Sequence, residues 1–256
     1  MIQIESFDKI TFKYNSGTIP PPFCHKYYIE IKAKSLEVFR VKLQLEYYDR
    51  DTISEDEIFE EGFSLEDDFT WSGPLPKVWG EEIIKKLKSS NWKKKPLPSS
   101  SSSEFTIKVD HHNESEILQP ADTRTWEIFV QEIIQAIFEL SEKEAPLFLS
   151  YVSKSSEEQI NQADFNFSFA QRKISITSQN NSLKNMTWTE GQKLLKFIFS
   201  IDYLPENGSE QVPNLPGNYI SPGDGWWYEL APYKNSGKDA IDKIDKLNQS
   251  LLNYTR

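Results

Sequence analysis

The sequence predicts an α+β protein in which antiparallel strands are covered on one side by three or four helices. Three observations predict it. Residues 37–48 place Val38, Arg40, Lys42, Gln44 and Glu46 on one side and Phe39, Val41, Leu43, Leu45 and Tyr47 on the other. That period of two marks an antiparallel strand with one wet face. Residues 124–140 carry Trp126, Phe129, Val130, Ile133, Ile134, Ile137, Phe138 and Leu140 at helical spacing, a face broad enough for a central core helix. A β-β-β-α order occurs twice, over 4–90 and over 147–200, which suggests two related halves.

In chain order, residues 4–14 read as a strand ended by Asn15-Ser16-Gly17, and residues 25–33 alternate through Tyr27, Ile29 and Ile31. A short helix is expected near 54–61. A longer one follows Pro76, with Trp79, Ile83, Ile84 and Leu87 on one face. Lys93-Lys94-Lys95 and the run Ser99 to Ser103 then form a polar connection without side chains that pack, so the expected halves are 1–92 and 104–256. Residues 104–111 read as a strand, and Asp122 caps the central helix. Residues 147–152, 165–169 and 172–178 read as strands, and 189–200 and the tail from Lys238 as helices. From Ile201 to Gly237 the chain shows no periodicity and reads as one long loop, the kind of segment that is often functional. Thr-Trp recurs at 70–71, 125–126 and 187–188, and Trp79-Gly-Glu-Glu-Ile-Ile aligns with Phe129-Val-Gln-Glu-Ile-Ile.

The aromatic share of 13%, with 7 Trp, 11 Tyr and 16 Phe, supplies ample apolar area for a core and argues against disorder. No apolar stretch is long enough to span a bilayer, and MIQIESFDKI has neither the basic nor the apolar region of a signal peptide. A cytoplasmic protein is therefore expected. The net charge of −10 is concentrated: between Asp49 and Asp68 ten carboxylates face one arginine, so this segment alone carries −9. An acidic patch of this kind argues against nucleic acid as the partner, because phosphate contact needs clustered Lys and Arg.

No residue pattern points to catalysis, to a metal or to a cofactor. Adjacent His111 and His112 in a strand should point to opposite faces and so not share a metal. Cys24, the lone cysteine, reads as a small buried hydrophobe rather than a nucleophile paired with His25. Asp49-x-Asp51 opens like a calcium loop, but Ile53 stands at the third acidic position and the required glycine is missing. Pro20-Pro21-Pro22-Phe23 fits either a polyproline ligand or a stiff connector.

The expected function is a non-enzymatic, adaptor- or immunity-like protein that binds a basic or peptide-like partner. The residues expected to carry it are Glu57, Glu60 and Glu61 in the acidic segment, and Asp224, Trp226, Trp227 and Tyr228 in the late loop. One of the two tryptophans should be partly exposed, while Asp224 shapes the turn between its two glycines. The alternative is a hydrolase with a carboxylate-based site near the 205–232 loop. A third reading is an assembly subunit whose apolar surface is covered only in an oligomer.

Overall fold

A computed structural model describes residues 6–35, 37–93, 104–112, 114–156, 159–180, 182–232 and 237–255. The serine run expected to form a linker lies outside them. The fold is α+β, with two antiparallel six-stranded sheets and two similar halves. Two compact units divide the chain, Met1–Glu144 and Ala145–Arg256.

The first unit runs β1 (Lys9–Asn15), β2 (His25–Ala33), β3 (Phe39–Tyr47), α1 (Glu55–Glu60), β4 (Phe69–Leu75), α2 (Lys77–Ser89), β5 (Glu104–His111), β6 (Glu114–Leu118) and α3 (Thr123–Leu140). Its sheet has the order β4-β3-β2-β1-β5-β6. Alternation sends Ile10, Phe12, Ile29, Ile31, Val41, Leu43 and Ile107 to one face, where all are buried. On that face lie Trp79, Ile83 and Leu87 of α2 and Trp126, Val130, Ile133 and Ile137 of α3. Trp126 packs 6.0 Å from Phe12 between ring centres, and Trp79 5.9 Å from Phe129. The Asp122 carboxylate accepts from the Thr125 N–H at 3.1 Å, so α3 starts at the cap the sequence indicates.

The second unit runs β7 (Leu147–Lys154), β8 (Ile160–Ser168), β9 (Lys173–Ser178), β10 (Leu183–Met186), α4 (Trp188–Ile198), β11 (Gly217–Ser221), β12 (Tyr228–Glu229) and α5 (Lys238–Leu252). Its sheet order is β10-β9-β8-β7-β11-β12. Leu149, Tyr151, Phe165, Phe167, Ile174 and Ile176 share a core with Leu194 and Ile198 of α4 and Ile244, Leu247 and Leu251 of α5.

Apart from α1, both units follow one path: four strands in a meander, a helix, two strands added beside the first, and a closing helix. Three expectations are corrected by it. The boundary does not fall near 91–103, because Glu104–His111 pairs along the whole of β1 and belongs to the first sheet. The segment 201–237 is not one loop, since it supplies β11 and β12. Strands of five and two residues are too short to show a period among prolines and glycines. Of the two matches the sequence offers for α2, the repeated β-β-β-α order holds and makes α4 its counterpart, while the alignment with α3 does not. Gly80-x-x-Ile83-Ile84-Lys85-x-Leu87 lines up with Gly191-x-x-Leu194-Leu195-Lys196-x-Ile198. Each glycine is the fourth residue of its helix and lies against the third strand of its sheet, Gly80 on the Phe39 ring and Gly191 on Ile174. A methyl group at either position would overlap that side chain.

Candidate interaction surfaces

The acidic segment is an excursion from the sheet between β3 and β4, and its one basic residue holds it together. The Arg50 side chain is 12% exposed and binds the Asp67 carboxylate at 2.8 Å. It also donates to the carbonyls of Ser64 (2.7 Å) and Pro22 (3.2 Å). Its guanidinium lies 4.0 Å from the Tyr47 ring centre and 4.8 Å from that of Phe63, a cation–π stack on both. Burial works against the Asp67 anion, but the Ser64 N–H and O–H groups and Arg50 outweigh it and hold the carboxyl below its usual range. Asp68 accepts from the Tyr47 N–H at 2.7 Å. With Arg50 committed to Asp67, no other carboxylate between Asp49 and Asp68 has an ion-pair partner among the described residues.

The structure exposes Glu57 and Glu60 on α1 and Glu61 at its C-cap. Glu57 has a local role as well: its carboxylate accepts from the Ser54 N–H at 2.9 Å, and the Ser54 hydroxyl accepts in turn from the Glu57 N–H. These bonds from Ser54 keep the Glu57 carboxyl below its ordinary range. Sequence reasoning did not single out Phe59 and Leu65, which stand 51% and 56% exposed in the acidic field, beside Phe23 at 42%. The signal was present, since Ile58 and Phe59 are neighbours on a short helix and cannot both point inward. Ile58 takes the interior, at 2% exposure.

The second unit carries the aromatic loop. Asp224 sits between Gly223 and Gly225, both at positive φ, the conformation that favours glycine. Its two oxygens accept from the Trp226 N–H (3.0 Å) and the Tyr228 O–H (2.8 Å). Tyr228 is buried against Tyr203, with ring centres 5.1 Å apart. Trp227 is half-buried, and its backbone exchanges hydrogen bonds with Ser209. Trp226 is 43% exposed. The loop is thus anchored through Tyr228 and presents Trp226. Glu57, Glu60 and Glu61 lie in the first unit and Asp224, Trp226, Trp227 and Tyr228 in the second.

Comparisons of the chain with protein-family models, curated proteins and solved structures return no match. The chemistry of the sites rests on their own geometry. His111 and His112 correct the expectation that they point apart. His112 has φ 47°, which breaks the strand alternation, and the rings stack with centres 3.8 Å apart. Even so, no group of three or more His, Cys, Asp and Glu side chains among the described residues is arranged to hold a metal. Cys24 is buried, which pushes its thiol up, and His25 Nδ1 lies 2.8 Å from the Phe23 carbonyl oxygen. Pro20–Phe23 is a turn between β1 and β2 with Pro22 buried, the connector reading of that run. Among the described residues no helix is long and apolar enough to cross a membrane.

A further concavity was invisible in the sequence. On the face of the first sheet opposite α2 and α3 a trough of about 610 Å³ is lined by residues of β1, β2, β3, β5 and β6. It exists only because strands distant in sequence lie side by side.

Proposed function

We propose that this chain is a non-enzymatic, adaptor- or immunity-like interaction protein that captures a basic or peptide-like partner on its acidic excursion. The observation that carries the reading is the exposure of Phe59 and Leu65 within a field of unpaired carboxylates. A desolvated aromatic anchor ringed by charge is how many interfaces concentrate their binding energy. The carboxylates supply long-range attraction, which raises the rate of capture of a cationic partner and sharpens its selection. The Arg50 bonds lower the cost of ordering this surface on binding, because the excursion is already tied at both its start and its end. Trp226 offers a second contact on the other unit. The hydrolase alternative draws no support from Asp224, since both of its oxygens are engaged within their own turn.

The test is retention of proteins from native lysate on the immobilised full chain, comparing wild type with Phe59→Ser and with Glu60→Gln/Glu61→Gln. A basic partner, lost in Phe59→Ser and released at lower salt from the Gln variant, is the expected result. Retention of the same protein by all three, with unchanged salt dependence, would move the interface elsewhere.

A further inference from the structure

The face of the first sheet that carries no helix of its own unit among the described residues has a charge opposite to that of the chain. The pairing register arranges it in rows. One row reads Arg40, Lys32, Lys9, Asp110, and the next Lys42, Glu30, Thr11, Lys108, Ile117. These are followed by Gln44, Tyr28, Lys13, Thr106 and by Glu46, Lys26, Asn15, Glu104. Seven basic residues meet four acidic ones there, in a chain whose net charge is −10. At physiological ionic strength fields fade over roughly 8 Å, so a small ligand meets mainly the charges that line its site.

Most of these lysines are neutralised in place. Lys9 pairs with Asp110 at 2.9 Å, Lys32 with Glu30 at 2.8 Å, Lys26 with Glu46 at 2.7 Å and Lys108 with Asp110 at 3.2 Å. Lys13, in the middle of the trough, has no carboxylate at ion-pair distance among the described residues. Its ammonium lies 5.6 Å from the centre of the Tyr28 ring. Around it Gln44, Thr106 and Thr11 make no side-chain hydrogen bond among the described residues. Each of these groups can both donate and accept. Thr11 is 3% exposed and lies between Glu30 and Lys108 in its row.

We infer that this trough binds a small hydroxyl-rich anion, a sugar or nucleoside skeleton bearing one phosphate or carboxylate. The volume of about 610 Å³ falls in the range of small-molecule sites. Glu104 also lines the trough without a cation at ion-pair distance among the described residues, so one anionic group would dock at Lys13 and away from Glu104. A single free ammonium is too little for a nucleic-acid backbone, which needs several. The neutral amide and hydroxyls beside Lys13 match hydroxyl groups on the ligand. The site is separate from the acidic excursion and does not depend on its role.

Titration of the full chain with glucose 6-phosphate, glucuronate and glucose tests it, read by amide chemical shifts and calorimetry. The first two separate a phosphate from a carboxylate preference. Binding of at least one of them at millimolar concentration or below is expected, with shifts at Thr11, Lys13, Tyr28 and Thr106 and with glucose at least about tenfold weaker. Lys13→Gln should weaken the charged sugar by about tenfold or more, Lys13→Arg should retain most of it, and the exposed control Lys193→Gln should change nothing. Failure of both charged sugars to bind, equal binding of glucose, or undiminished binding by Lys13→Gln would overturn the assignment.

Discussion

At the residue scale, single charges organise both faces of the first unit. Arg50 joins three loop positions through one planar group, and the flexible point charge of lysine does not reproduce that fork or its stack on Tyr47 and Phe63. Arg50→Lys should cost about 1–3 kcal/mol in thermal unfolding and make 49–68 the first site cut by protease. Asp110 shows the same logic with a carboxylate. The Ser115 hydroxyl at 2.5 Å, then Lys9 and Lys108, hold its pKa down at about 2. A lowered carboxyl stabilises the fold above its unfolded value of ~3.9, and that contribution is lost as pH falls toward the folded value. The stability gap between wild type and Asp110→Asn, measured by denaturant titration, should be full above about pH 4.5 and closed near pH 2.

At the element scale, packing outweighs propensity. Gly80 and Gly191 stand inside helices, where alanine would gain about 1 kcal/mol of intrinsic propensity. Both sites lack room for the added methyl, and Phe39, buried at 4%, is a rigid ring with little space to retreat. Gly80→Ala should therefore lower stability by about 1–3 kcal/mol despite its better propensity, measured by chemical denaturation. In the late loop the two exposed-looking aromatics separate cleanly. Tyr228→Ala removes a buried ring and the partner of Asp224, at a cost of about 3–5 kcal/mol. Trp226→Ala should shift the unfolding midpoint far less. If both variants lose the same stability, the loop is core packing on both residues.

At the scale of the whole molecule, the repeated path makes each unit a complete sheet with its own buried side chains. Residues 1–144 and 145–256, expressed separately, should each give a circular dichroism spectrum of mixed strand and helix and a cooperative melt. A piece that melts without cooperativity would show that its core is incomplete alone. The charge pattern belongs to this scale too. A chain of net charge −10 keeps an acidic excursion and a basic sheet face within one unit, so it offers cationic and anionic ligands different places to bind.

The sequence by itself determined the α+β class, the alternating strand at 37–48, the central helix from its Asp122 cap and the concentration of negative charge between Asp49 and Asp68. Each depends on spacing or local chemistry within a few residues, which a linear string records directly. The tertiary structure alone decided that 104–111 joins β1, that Gly80 and Gly191 each lie against the third strand of their unit, and that the seven proposed binding residues fall on two units. It also created the trough, whose central residues Gln44, Tyr28, Lys13 and Thr106 come from four strands. Those outcomes depend on non-local pairing, where a strand's partner is set by the complementary faces of segments tens of residues away. The stacked histidines make the same point in miniature. One backbone angle at His112 reverses what strand alternation implies, and no residue type in the string announces it.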